Sequence, residues 1–494
     1  MSQPDVREFH SIPAVDRGGT PVSIDQTALV VDLDGTLLRT DMLYESYFAS
    51  IRDGAQHHRS VLRALSRGKA SFKAYLADVA ALDCNLLPIN DNVLEFVRAA
   101  KAKGQPVFLA TASNRKLAEQ VAARLEIFDD VFASDEATNL SGDAKAKHLI
   151  DTFGDRGFDY IGNSSADLPV WAHARRAYIA GNPAPLIRRA KQRGIDVRPM
   201  AEAEYSARSW LKALRVHQYA KNALIFVPLL TSHAYSISSC LAAFQAFISF
   251  SLCASSVYLL NDLIDLRADR QHPTKRLRPF ANGALPLQHG IIAIPLLLAI
   301  SYACALLTSL LFTAVLTAYL VLTLAYSFTL KRRLMVDIVV LSALYSIRVI
   351  AGSAATYVVP SEWLLAFSMF VFVCLALVKR YVELALRIDK ELPDPSNRNY
   401  RLMDLPIIGA LAAASGFNAV TIFSLYISSP AVTDLYRHPG MLWLICPILM
   451  YWLSRIVILA HRRVVDDDPI VFALRDRNSR ICAAAMVVIV LLAT

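Results

Sequence analysis

The 494-residue chain is 55% hydrophobic and 19% charged, with a mean hydropathy of +0.37 and a formal charge of +9. Those averages exclude a disordered, fibrous or small disulfide-stapled protein. They also hide two unlike halves, since residues 1–221 carry 29 Lys and Arg against 27 Asp and Glu, and the remainder 22 against 15.

The polar stretch from Met1 to Asp25 has no apolar core and is not expected to be a cleaved signal peptide. Residues 27–33 then form a short β-branched apolar run ending at Asp34-Gly35-Thr36. It reads as a buried parallel strand with acids at its carboxyl end, where open α/β sheets place ligands. Pro106 to Thr111 is a second such run, ending in the hydroxyls Thr111 and Ser113 before a helical stretch from Arg115 to Leu125. A third, Phe158 to Gly162, ends at Asn163 and Asp167. Strands alternating with helices predict a doubly wound domain, interrupted over 41–100 by helix-like sequence the size of a small inserted cap.

From Asn222 onward, apolar segments of spanning length recur, and nine spans are predicted near 222–236, 238–260, 287–307, 309–329, 336–356, 362–384, 405–428, 440–460 and 479–494. The loops after the even-numbered spans, with the span ends beside them, hold 19 Lys and Arg, and the intervening loops only Arg437. That bias reads as an orientation signal, not a nucleic-acid footprint. It puts the N-terminal domain and the even loops in the cytoplasm, and the odd span count sends the C-terminus to the opposite side. The seven cysteines are widely spaced and six lie in the apolar half, so neither a disulfide framework nor a zinc site is expected.

The loop after the second span begins Asn261-Asp262-Leu263-Ile264-Asp265-Leu266-Arg267-Ala268-Asp269. On a continuous helix, spacings of three and four place Asp262, Asp265 and Asp269 on one face, a carboxylate row able to bind Mg2+ and through it a diphosphate. The following His272, Lys275, Arg276 and Arg278 offer donors for further phosphate oxygens. Arg348, well inside a span, is either a substrate group or the ion-pair partner of Asp337 or another acid.

Over about residues 26–195 the sequence resembles the haloacid dehalogenase-like phosphatase superfamily. Asp32-Leu33-Asp34-Gly35-Thr36-Leu37 matches its first motif, Thr111 its second, Lys145 its third and Gly162-Asn163 to Asp167 its fourth. The resemblance implies Asp32 as nucleophile, Asp34 as acid and base, and Thr111 and Lys145 as phosphate ligands. It implies Mg2+ held by Asp32, Asp34, Asn163 and Asp167. Asn163 stands where the family usually has an acid, which lowers the negative charge at that metal position and leaves a degenerate, regulatory domain as the alternative.

Over roughly 210–494 the sequence resembles the UbiA-type intramembrane prenyltransferase superfamily, nearest its decaprenyl-phosphate phosphoribosyltransferase branch. Lys221-Asn222, the Asp262, Asp265 and Asp269 row, His272 to Pro279, Tyr326 to Lys331, and Asp337 with Arg348 carry this likeness. Where aromatic prenyltransferases show a second aspartate-rich segment, this chain has Lys379-Arg380-Tyr381-Val382-Glu383.

Together the resemblances imply an α/β Rossmannoid domain with a small helical cap over 1–205, followed by an all-α polytopic membrane domain of about nine transmembrane helices over 206–494. They imply catalytic or metal roles for Asp262, Asp265 and Asp269. Substrate contacts fall to Lys221, Asn222, Asn261, His272, Lys275, Arg276, Arg278, Tyr326, Lys331, Arg348, Lys379 and Glu383. The expected protein is a bifunctional enzyme of the bacterial plasma membrane, Mg2+-dependent, acting on phosphoribosyl pyrophosphate and a polyprenyl phosphate, with no nucleic-acid partner. It would then dephosphorylate its product, a precursor of lipid-linked arabinofuranose for envelope glycans. The competing expectation is an aromatic polyprenyltransferase with a separately acting or regulatory phosphatase-like domain.

Overall fold

The computed structural model describes residues 27–52, 75–76, 82–135, 138–181, 183–200, 206–233, 235–395, 398–465 and 468–494. The chain forms two compact units, one of Met1–Trp210 with Asp262–His289, the other of Leu211–Asn261 with Gly290–Thr494. The first unit takes in a segment that the sequence reading assigns to the membrane half.

In the first unit, β1 (Ala28–Val31), β2 (Val107–Asn114), β3 (Asp130–Ser134), β4 (Phe158–Gly162), β5 (Arg176–Ala180) and β6 (Val197–Met200) make one parallel sheet in the order β3-β2-β1-β4-β5-β6. Successive side chains on a strand point to opposite faces. Leu29 and Val31 therefore enter one core with Val93, Val97, Leu117 and Val121 of two flanking helices, while Ala28 and Val30 enter the other with Leu149 and Trp171. Burial on both faces explains why β1, β2 and β4 read as near-continuous apolar runs. The strand order reverses between β1 and β4, and their carboxyl ends are level, Val31 pairing with Ile161. Doubly wound sheets bind ligands at that switch point. Residues 53–74 and 77–81 of the cap expected near 41–100 lie outside the described residues. Its flanks are the helix Met42–Arg52 and the helix Asp91–Ala102, and the latter packs Val93 and Val97 onto the sheet.

In the second unit, seven helices among the described residues are long and apolar enough to cross a bilayer: Ile237–Ile264, Leu287–Thr308, Leu310–Phe328, Val336–Thr356, Glu362–Asp389, Leu402–Ile427 and Pro439–His461. These correspond to seven of the nine expected spans, and the expected first and last fall on shorter elements. The segment expected to be the first span is a tight turn of helix, Val216–Phe226, followed by the five-residue helix Val227–Thr231. Its polar Lys221 and Asn222 are buried, and the two helices run on without a break. The last, Arg477–Ala493, has 17 residues. Val336–Thr356 is the most enclosed of these helices, 61% buried against 17% for Leu287–Thr308. The protein is thus an integral membrane protein whose backbone polar groups are satisfied within helices where lipid offers none.

Candidate active sites

The β1–β4 switch point carries the first site. Asp32 follows β1 and is buried; its Oδ1 accepts from Lys145 Nζ at 2.7 Å and its Oδ2 from Thr36 Oγ1 at 3.2 Å. Asp34 is aimed by three donors: Met42 N at 2.8 Å, Ser113 Oγ at 2.6 Å and Thr111 Oγ1 at 3.2 Å. The turn directly after these acids depends on Gly35, whose φ is +70°. A Cβ there would also meet Asn163 Nδ2 at 2.0 Å, so the Asn163 amide lies directly against the nucleophile loop. Asp167 is committed to building the loop after β4: its Oδ2 accepts from Asn163 N, Ser164 N and Ser164 Oγ, and its Oδ1 from Tyr160 OH at 2.8 Å. Tyr160 in turn accepts from Lys145 at 3.1 Å.

One buried lysine here faces three carboxylates, Asp32, Asp34 and Asp167. Burial pushes the Asp32 carboxyl up; Lys145 opposes this, but Asp167 and Asp34 add to it, and the group ends at about 7. Burial alone would lower Lys145, yet Asp32 and Asp167 hold it above the usual lysine range. The Lys145–Asp32 pair is therefore sound, and the site remains short of positive charge.

The acid row in the Asp262–His289 segment is the second site. The helix Ile237–Ile264 stops before Asp265, which caps the short helix Leu266–Gln271. Asp262 and Asp269 are both buried and share Arg278, whose Nη1 donates to Asp262 Oδ1 at 3.0 Å and to Asp269 Oδ2 at 2.6 Å. Asp265 does not join that bridge. Burial pushes the Asp269 carboxyl up, Arg278 pulls it down, Asp262 raises it again, and it settles at about 6. His272, Lys275 and Arg276 are exposed on the following turn.

The second unit holds its own polar clusters. Lys221 is ion-paired to Asp468, with Lys379 at 3.8 Å from the same oxygen. Burial would raise Asp468, but Lys221 and Lys379 leave its carboxyl below the ordinary range. Arg348 Nε donates to Asn222 Oδ1 at 2.9 Å, and its guanidinium lies 5.3 Å from the rings of Phe250 and Tyr319. Asn222 donates to Ser251 at 2.9 Å. Asp337 pairs instead with Arg380 at 3.0 Å, both fully buried, and accepts from Tyr400 and Arg398. The alternative that joined Arg348 to Asp337 is thus replaced by Asn222 on one side and Arg380 on the other. Glu383 is ion-paired to Arg380 and lies 3.5 Å from Arg398. Asn261 donates to Ser327 at 3.1 Å, and Lys331 is half-buried in the turn after Phe328 and Tyr326.

Among the described residues no three His, Cys, Asp or Glu side chains gather closely enough to hold a metal alone. Mg2+ is characteristically bound by one or two carboxylates, with water and substrate phosphate completing its shell. Both acid sites fit that mode: each offers buried oxygen donors, and in each the carboxyl that is pushed up marks a deficit of cation.

Sequence reasoning missed Glu45, Arg270, Asp468, Arg380 and Tyr160. Asp468 had a signal, as the end of the Asp466-Asp467-Asp468 run in an otherwise acid-poor region. Glu45 had none: its partner Arg270 is 225 positions away, and the two form a buried bidentate pair at 2.6 and 2.9 Å.

The UbiA prenyltransferase family matches residues 224–475, and the haloacid dehalogenase-like hydrolase family matches residues 29–172. Uncharacterized protein y4nM of Sinorhizobium fredii is 36% identical over 454 residues, covering 91% of this chain and 88% of the relative. Nodulation protein NoeC of Azorhizobium caulinodans is 33% identical over 277 residues, covering 56% of this chain and 89% of the relative. Decaprenyl-phosphate phosphoribosyltransferase of Mycobacterium tuberculosis is 39% identical over 181 residues, 36% of this chain and 60% of that protein. The chain belongs to the UbiA prenyltransferase family, joined to an N-terminal haloacid dehalogenase-like domain.

Proposed function

We propose that the protein builds a lipid-linked ribose in two steps. A polyprenyl-phosphate oxygen attacks C1 of phosphoribosyl pyrophosphate; the bond from C1 to the diphosphate oxygen breaks, pyrophosphate leaves, and polyprenylphosphoryl-5-phosphoribose forms. Asp262 and Asp269 flank the diphosphate, and Arg278, released from bridging them, turns its donors to the phosphate oxygens. In the second step an Asp32 oxygen attacks the 5-phosphate, the bond from phosphorus to O5 breaks, and Asp34 protonates O5. Asp34 then takes a proton from water, which releases inorganic phosphate from Asp32. Thr111 and Lys145 hold the phosphate oxygens in both half-reactions. Mg2+, when bound, supplies neutralisation of phosphate charge at each acid site.

The observation that carries this reading is that one compact unit contains both the Asp262–Asp269 pair and the Asp32 pocket. The 39% identity to a decaprenyl-phosphate phosphoribosyltransferase supports the transferase half. The 19-to-1 division of loop bases supports a bacterial plasma-membrane orientation, with both acid sites in the cytoplasm and the C-terminus opposite.

The test is to incubate membranes with polyprenyl phosphate and phosphoribosyl pyrophosphate labelled in the ribose carbon and in the 5-phosphate. Doubly labelled lipid is expected first, then lipid retaining carbon label alone. Prenylation of 4-hydroxybenzoate from a polyprenyl diphosphate, with no labelled ribosyl lipid, would instead establish the aromatic reaction.

Arg278 also gives an expectation without substrate. As it shares the carboxylates that a divalent cation needs, Arg278→Gln is expected to lower the Mg2+ concentration at half-maximal thermal stabilisation several-fold. A midpoint that rises would mean that the guanidinium is not a competitor.

A further inference from the structure

The phosphatase pocket is too large for a phosphate group alone. Its cavity of about 750 Å3 lies in the range that holds a small organic ligand. Asp32, Asp34 and Lys145 line one part of it, and Gly283 to His289 line another together with Ser206 and Ser209. The Gly283–His289 stretch belongs to the segment that follows the acid row, and it is seated by close packing. Gly283 has φ +73°, and a Cβ there would meet Arg39 Cβ at 2.5 Å. The Arg270–Glu45 pair, with Arg270 Nε donating to Ala281 O at 2.9 Å, ties the segment to the helix that begins beside Asp34. His289 stacks near-parallel on Trp210, ring centroids 6.4 Å apart.

We propose that Ser209, Gln288 and His289 form the specificity wall of the phosphatase, recognising the alcohol portion of its substrate. The phosphate belongs at Asp32, Thr111 and Lys145, so the alcohol extends toward a wall that presents a hydroxyl, an amide and an imidazole. Such groups suit a phosphomonoester of a polyhydroxylated alcohol, a sugar phosphate, over an aryl phosphate of similar size. A site built to hydrogen-bond substrate hydroxyls rejects analogues that lack them, because its own polar groups are then left unpaired. The wall thereby makes the loop carrying the transferase acids a discriminating part of the phosphatase. This inference rests on the phosphatase reading of the Asp32 pocket.

The experiment compares kcat and KM of the full-length protein in detergent for ribose 5-phosphate and p-nitrophenyl phosphate. The wild type is expected to favour the sugar phosphate. In Gln288→Ala/His289→Ala the ratio of the two kcat/KM values is expected to fall about tenfold, through KM for the sugar phosphate. Ser209→Ala, on a separate helix, is expected to lower the ratio by a smaller factor. A ratio unchanged in both variants, or equal losses for both esters, would overturn the wall's role. If the wild type hydrolyses neither ester, the phosphatase reading falls, and the inference falls with it.

Discussion

Asp32→Asn is expected to slow release of the 5-phosphate at least about a thousandfold, because no neighbouring group can replace the attacking oxygen. The 5-phosphorylated lipid should accumulate. The same change is expected to stabilise the metal-free protein at alkaline pH. Asp32 is raised from 3.8 to about 7 in the folded protein, so the native state keeps a proton that the unfolded chain has lost between those values. The stabilisation associated with the protonated form is complete below pH 4 and is lost as pH rises through 7. Asparagine cannot ionise, so at pH 8 the variant avoids a cost of up to about 4 kcal/mol, at about 1.36 kcal/mol per pKa unit. Thermal unfolding in chelator at pH 5, 6.5 and 8 checks this. A variant less stable than the wild type at pH 8, or a difference independent of pH, would refute the charge deficit assigned to this pocket.

The second large effect is expected at Arg270. Its guanidinium and Glu45 are almost completely excluded from solvent, and Thr40 Oγ1 also donates to Glu45 at 2.6 Å. Arg270→Ala leaves a buried carboxylate without its cation, a loss of about 3–5 kcal/mol. The double variant Glu45→Met/Arg270→Met removes both charges in roughly the same volume and is expected to recover most of that loss. Thermal unfolding and the rate of proteolysis within 262–289 would report both. If Arg270→Ala leaves the melting temperature unchanged, the ion pair does not fasten the segment. If the double variant is no better than Arg270→Ala, the loss comes from packing and not from charge.

Legibility in the sequence followed burial and distance along the chain. β1, β2 and β4 sit centrally, are covered on both faces and announce themselves as apolar runs. β3 and β6 lie at the sheet edges and β5 beside one of them. Their segments carry Asp130, Arg176 and the Arg198-Pro199 pair, the proline suiting an edge strand, whereas the one charge in central β4, Asp159, is buried and paired with Arg175. Among the phosphatase-like motif residues, Asp32, Asp34, Asn163 and Asp167 were legible because they follow the ends of β1 and β4, whereas Thr111 lies within β2 and Lys145 in the helix Asp143–Phe153. The acid row was legible as composition but not as geometry: helical spacing assumes an unbroken helix, and the break before Asp265 separates that residue from the Arg278 bridge. Asp468 with Lys221, Asp337 with Arg380, and Glu45 with Arg270 are tertiary pairings between distant positions, which no local periodicity records.

The division of the first unit into two chain segments also sets a timetable for biosynthesis. Domains generally fold as units while the chain emerges from the ribosome, the N-terminal part first. Here the ribosome has completed β6 by residue 200, yet the cation for Glu45 and the Gln288–His289 part of the wall are encoded beyond residue 261, after the apolar helix Ile237–Ile264. The nascent sheet must wait, with Glu45 unmatched, until that helix has been made and the chain has returned. Moving the phosphatase to the C-terminus by circular permutation would remove the wait, and the yield of folded protein would measure its cost.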